Sequence, residues 1–174
     1  MRSIITQLVT TVLLTPLLIS SVANADTGKF KDDLKSIFSK MEGQWSCKGE
    51  TSKGKLTAAE WEVTQAYDGQ ILVQHHIGLK GNTNQFTSLW AYNEGLKNLT
   101  ILRQFVTANG VYSSVLLGDT WDENTIVFME SSIEGPLWRE NRFTYSFATP
   151  NTLNVKWETL QDDWKLGDKM VCTK

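Results

Sequence analysis

Two histidines, one arginine set among apolar neighbours, and a few carboxylates and amides on alternating segments are the groups in this chain that could do chemistry. In the stretch 70–79, Ile71, Val73, His75, Ile77 and Leu79 fall on one face, while Leu72, Gln74 and His76 fall on the other, because successive residues of a strand point to opposite sides. The more apolar set is expected inside, which puts His75 in the interior and His76 toward solvent. An interior His75 is either a hydrogen-bonded core or pocket-wall histidine or a general acid/base. In the stretch 98–107, Arg103 is in register with Leu99, Ile101 and Phe105. A guanidinium turned into an apolar interior is costly alone, so it meets a carboxylate, waits for an anionic ligand group, or snorkels to a barrel end. Glu130 shares a face with Ile126 and Phe128, and Asn141 shares one with Phe143, Tyr145 and Phe147. Glu130 is a natural partner for Arg103 or His75. A His75/Glu130 pair is equally a core-polar solution or a proton-transfer couple, and these two are the catalytic candidates.

The remaining candidates bind rather than react. Seven tryptophans, four tyrosines and seven phenylalanines can line a cavity for an apolar or planar ligand, or simply fill a core. Trp61, Trp90 and Trp157 lie in the middle of alternating segments and join Arg103, Asn141 and Tyr145 as candidate ligand-binding residues; Trp45 is expected to plug a closed end. Adjacent His75 and His76 cannot chelate one ion from a regular strand, and there is no third histidine, so no metal and no cofactor are expected. Asp119, Asp122, Glu123 and Asn124 crowd one turn but lack the twelve-residue calcium-loop spacing, and a solvated hairpin is the better reading. Glycine loops for phosphates, a serine nucleophile elbow and a dinucleotide fingerprint are all missing.

The elements that must position these groups are mostly strands. Segments near 44–51, 56–67, 70–79, 85–92, 98–107, 111–117, 125–131, 137–147, 152–159 and 164–173 are rich in β-branched and aromatic residues. Between them stand the turn signals Ser52-Lys53-Gly54, Asp68-Gly69, Lys80-Gly81-Asn82, Asn93-Glu94-Gly95, Asn109-Gly110, Asp122-Glu123-Asn124, Glu134-Gly135-Pro136 and Pro150-Asn151. One helix precedes them. Phe30, Leu34, Ile37, Phe38 and Met41 recur at helical spacing, with Asp26 or Thr27 as cap and Gly43 as terminator. About ten short antiparallel strands with one helix leave a two-sheet sandwich or a closed barrel. Closure is favoured, because a meander loses its edges only by joining first strand to last.

Composition sets the outer bounds. With 174 residues, 41% hydrophobic and 21% charged, the chain is a globular one, and a single domain is expected. Residues 1–25 carry Arg2, an apolar run from Ile4 to Ile19, and Ala23-Asn24-Ala25 before Asp26, the pattern of a secretory signal peptide. That leaves residues 26–174 as one domain, secreted or periplasmic, with no membrane span in the mature chain. Without Arg2, the 17 Lys and Arg fall to 16 against 19 Asp and Glu. With no basic cluster, nucleic acid is not an expected partner. Cys47 and Cys172 are the only cysteines, and an oxidising compartment favours their pairing, which would tie the first strand to the last.

Several motifs carry a resemblance. The helix leading into Gly43-Gln44-Trp45-Ser46-Cys47, the strand ending Tyr67-Asp68-Gly69, Ser88-Leu89-Trp90-Ala91-Tyr92-Asn93, Gly118-Asp119-Thr120-Trp121-Asp122, and Asp163-Trp164 leading to Cys172 together resemble exported bacterial proteins of the calycin, or lipocalin-like, group. The resemblance covers most of residues 30–173. It implies an eight- to ten-stranded barrel with a helix against it and an apolar interior that is often a pocket. Haem-binding relatives of the nitrobindin type carry their iron ligand near the C-terminal strands, where this chain has no histidine. The expected fold is thus an all-β, antiparallel closed β-barrel of calycin type with one N-terminal amphipathic helix. The expected function is binding of a small hydrophobic or amphipathic molecule in an aromatic-lined cavity. A cofactor-free isomerase or cyclase working in the same cavity ranks second, and a structural module with a filled barrel third.

Overall fold

A computed structural model of the protein describes residues 27–79, 84–107, 110–134 and 140–174. The signal peptide expected over residues 1–25, a cap at Asp26, and the turn residues at 80–82, 109 and 135–136 lie outside the described residues. Helix α1 (Thr27–Met41) is followed by ten strands: β1 (Gly43–Thr51), β2 (Leu56–Ala66), β3 (Ile71–Gly78), β4 (Gln85–Asn93), β5 (Asn98–Thr107), β6 (Gly110–Trp121), β7 (Thr125–Glu134), β8 (Asn141–Thr149), β9 (Thr152–Leu160) and β10 (Trp164–Thr173). Each strand pairs antiparallel with its neighbours in sequence, and β1 pairs with β10, so the sheet is a closed barrel. Closure leaves no row of backbone donors and acceptors open to another chain.

The seam is covalent as well as hydrogen-bonded. Cys47 and Cys172 are direct partners in the β1–β10 register and form a disulfide, both buried. From that point inward-facing residues follow by twos. Trp45 and Cys47 on β1, Ala59, Trp61 and Val63 on β2, Leu99, Ile101 and Arg103 on β5, and Met170 and Cys172 on β10 are all buried.

Helix α1 closes one end. Leu34, Ile37, Phe38 and Met41 are buried, and the helix C-terminus is held from several sides. The Trp45 indole N–H donates to Met41 O at 2.7 Å, Lys174 Nζ donates to Lys40 O at 2.8 Å, and Lys40 Nζ donates to Glu123 O in the β6–β7 turn. The first two bonds satisfy carbonyls that the last helical turn leaves orphaned, and the third ties the helix to that turn. Trp45 plugs this end, as expected, with the Lys174 ammonium 4.6 Å above its ring. Behind it Trp90 packs edge-on against Phe128 and Tyr145 at 5.1 and 4.9 Å, so this half of the lumen is solid aromatic core.

One strand faces the other way from the sequence expectation. His76, Gln74 and Leu72 are buried, while His75 and Ile77 are exposed. The register decides it: His76 lies opposite Trp61 and Gln74 opposite Val63, both inward residues. Relative hydropathy misleads because the outer wall of this side is itself apolar, with Val73, Leu89, Leu102 and Val115 in one cross-strand row.

The disulfide closes a separation of 125 residues, and constraining so long a loop in the unfolded chain is worth about 2–5 kcal/mol. The Cys47→Ala/Cys172→Ala double variant is expected to keep its β-sheet circular dichroism. Its urea midpoint should drop by the equivalent of that energy.

Candidate functional site

The half of the barrel away from α1 is not filled. A cavity of about 270 Å³ is lined by residues from nine strands, β2 to β10, among them Trp61, His76, Phe86, Arg103, Glu130, Asn141, Tyr145, Trp157 and Asp168. That is close to the lower end of ordinary ligand pockets, roughly 300–1,000 Å³.

Arg103 is its central group. The side chain is 7% exposed, and its guanidinium lies between the rings of Phe86 and Phe143, 4.5 and 4.9 Å from their centroids. Nε donates to Ser88 Oγ and Nη2 donates to the Tyr145 hydroxyl, both at 3.0 Å. Both acceptors are neutral. Among the described residues no carboxylate stands within ion-pair distance of it, which leaves guanidinium N–H groups uncommitted beside the cavity.

Around Arg103 the protonation states are held by geometry. The Trp61 indole N–H donates to His76 Nδ1 at 2.6 Å, so the imidazole carries its proton on Nε2. Burial, and then the Arg103 charge, push His76 down to about 4, which keeps it neutral at ordinary pH. The ring stacks on Phe86 at 4.1 Å. Gln74 Oε1 accepts from the Trp90 indole at 3.2 Å.

On the β7–β9 side, Asn141 is the organiser. Its Oδ1 accepts from Trp157 Nε1 at 3.0 Å and from Thr159 Oγ1 at 2.7 Å, and its Nδ2 donates to Glu130 Oε2. Burial pushes the Glu130 carboxyl above the usual range; the Asn141 amide, the nearby Ser114 hydroxyl and the Arg103 charge pull the other way. Ser114 approaches without a bond of normal geometry.

Asp168 has no such support. It lines the cavity from β10, and no hydrogen bond or ion pair from the described residues reaches its carboxylate. Burial alone raises it to about 6. It is in regular register with the inward Met170 and Cys172, and a β-bulge interrupts the pairing just before it, between Leu166 and Asp168. Gly167 within the bulge has no room for a side chain, because a Cβ there would stand 2.3 Å from Trp157 Cε3.

The structure gathers Trp61, Arg103, Glu130, Asn141, Tyr145 and Trp157 around one cavity, as the alternation suggests. Two candidates are elsewhere. His75 stands on the outer wall, bonded to Thr87 Oγ1 at 3.1 Å, and therefore does not pair with Glu130. Trp90 is fully buried in the aromatic core of the closed half and does not line the cavity. His76, Phe86 and Asp168 were not legible as site residues by hydropathy. For Asp168 a signal exists: counting back by twos from the bridged, inward Cys172 reaches Met170 and then Asp168. Among the described residues no group of three or more His, Cys, Asp or Glu is placed to hold a metal ion.

An unpartnered, semi-buried carboxyl has a measurable cost. Between 3.8, the unfolded value, and about 6, the folded chain keeps a proton that the unfolded chain has released, so stability falls as pH rises through that window. Asp168→Asn removes the group. Urea unfolding at a series of pH values is expected to show no gain near pH 4 and a gain of about 1–3 kcal/mol above pH 7. An unchanged midpoint at pH 7.5 would mean that the carboxyl is fully hydrated.

Compared with known proteins, the chain matches no family model and shows no significant similarity to any curated protein.

Proposed function

We propose that the protein binds a small amphipathic molecule, seating an apolar or planar body among the cavity's aromatic rings and an anionic group on Arg103. The observation that carries this reading is the buried guanidinium without a carboxylate partner. A charge taken out of water is expensive, and two neutral hydroxyls and two ring faces offset only part of that cost. A carboxylate, sulfonate or phosphate ester entering the cavity would accept from the remaining N–H groups in fork geometry. Phe86, Phe143, Trp61 and Trp157 supply the apolar surroundings in which such a bond is strongest.

The ten-stranded barrel, the disulfide and the amino-terminal leader pattern together support an exported lipocalin-like protein whose domain is residues 26–174, working in an oxidising compartment. A cofactor-free isomerase or cyclase built on His75 and Glu130 gains no support, because His75 is on the outer wall. Glu130 alone remains beside the cavity as an acid or base.

Binding of 4-phenylbutyrate, followed by isothermal titration calorimetry, tests the reading. Charge-assisted hydrogen bonds of this kind contribute about 1.5–3 kcal/mol, so Arg103→Met is expected to weaken the acid by about 10- to 100-fold while the melting temperature holds. Absence of binding to the wild-type protein, or equal affinity in the variant, would overturn it.

A further inference from the structure

The cavity has a second charged end. In the ring of ten strands β5 and β10 are diametrically opposed, with four strands between them on either side. Arg103 projects from β5 and Asp168 from β10, and both reach the same cavity. Their charges are opposite, and neither has an ion-pair partner among the described residues. Arg103 lacks an anionic partner, and Asp168 lacks any partner among the described residues.

What surrounds Asp168 points to the class of group it would take. Trp157 is its direct cross-strand partner, and the six-membered ring of that tryptophan lies against the backbone of Gly167, where any side chain would collide with it. The indole nitrogen is tied to Asn141 at 3.0 Å, which fixes the ring. A carboxylate beside an immobilised indole is the pairing that favours a protonated amine, by ion pairing and by attraction to the ring face. Glu130 is the less suitable acid, since its Oε2 already accepts from Asn141 and it lies in the field of Arg103, though beyond ion-pair distance.

We propose that the cavity selects a molecule charged at both ends, with its anionic group on Arg103 and a protonated amine on Asp168 against the ring of Trp157. This rests on the reading of Arg103 as an anion site. With strands about 4.8 Å apart and tilted by about 40°, opposite backbones of a ten-stranded barrel are roughly 20 Å apart, and the two side chains leave roughly 10 Å to be spanned. An aromatic ring with a short carbon chain at either end fits that span.

The experiment compares two probes at pH 7.5 by isothermal titration calorimetry: 4-phenylbutyrate and its ring-substituted amine, 4-[4-(aminomethyl)phenyl]butyrate. On the wild-type protein the amine is expected to bind at least tenfold tighter. In Asp168→Asn and in Asp168→Ala that preference is expected to fall to within twofold. Equal binding of the two probes by the wild-type protein overturns the inference without needing either variant, and so does a preference that survives in both variants. If 4-phenylbutyrate binds in an Arg103-dependent way and the amine gains nothing, the anion site stands and this inference falls. If neither probe binds, both fall.

Discussion

Closure of the sheet at β1 and β10 is the constraint from which the rest of the structure follows. Once first strand meets last, every residue is assigned to lumen or exterior by parity alone, and the direct pairing of Cys47 with Cys172 locks that parity at the seam. A slip of one residue would turn Trp45, Trp61 and Met170 outward together. Ten strands enclose more space than their own side chains fill at both ends. Helix α1 and the cluster of Trp45, Trp90 and Phe128 fill one half. The other half stays open and becomes a cavity lined by aromatic and polar residues of nine of the ten strands.

The contrast between the two halves is energetic as well as spatial. In the closed half the buried indole N–H groups are tied, that of Trp45 to Met41 O and that of Trp90 to Gln74 Oε1. In the open half a guanidinium, two carboxyls and an imidazole share an enclosed space with incomplete pairing. A sequence selected for stability alone would replace Arg103 and Asp168 with apolar residues, since buried ionic groups are often worth less than the hydrophobic contacts they displace. A carboxyl without a partner and a guanidinium without a carboxylate across one lumen fit the proposed binding site, in which the ligand would supply the opposite charges.

Strand existence was legible because each segment ends at a recognisable turn, as at Asp122, whose side chain accepts from the amides of Asn124 and Thr125. Face assignment was legible where the two faces differ in polarity, which placed Arg103, Glu130, Asn141, Tyr145 and Trp157 correctly beside the cavity. On β3 that rule inverted. The strand carries isoleucine and valine toward the exterior and glutamine and histidine toward the interior, because its inward Gln74 and His76 accept from the indoles of Trp90 and Trp61 and its outer face belongs to an apolar wall shared with β4, β5 and β6. Only the register with β2 resolves it, and register is a tertiary property. Trp90 was placed on the correct face but at the wrong depth, since alternation says nothing about position along the barrel axis. The bulge at Gly167 was hidden for the same reason: it is defined by Trp157 on the neighbouring strand.

The site also owes its order to hydrogen bonds among the residues that line the cavity, with Ser88 bonded from behind. Trp61 fixes the tautomer of His76, Ser88 and Tyr145 fix the plane of Arg103, and Asn141 fixes both Trp157 and Glu130. Each of these supporting residues comes from a different strand from the one it holds, so the arrangement is as rigid as the barrel itself. Rigidity matters because binding a small molecule must overcome the cost of ordering both partners, and a site already ordered removes the protein's share. In the proposed binding mode, with side-chain freedom already lost on folding, most of the interaction energy at Arg103 would be available for affinity. A pre-set spacing between the charges would then discriminate by ligand length, because a molecule too short to reach both walls would leave one charge buried and unpaired.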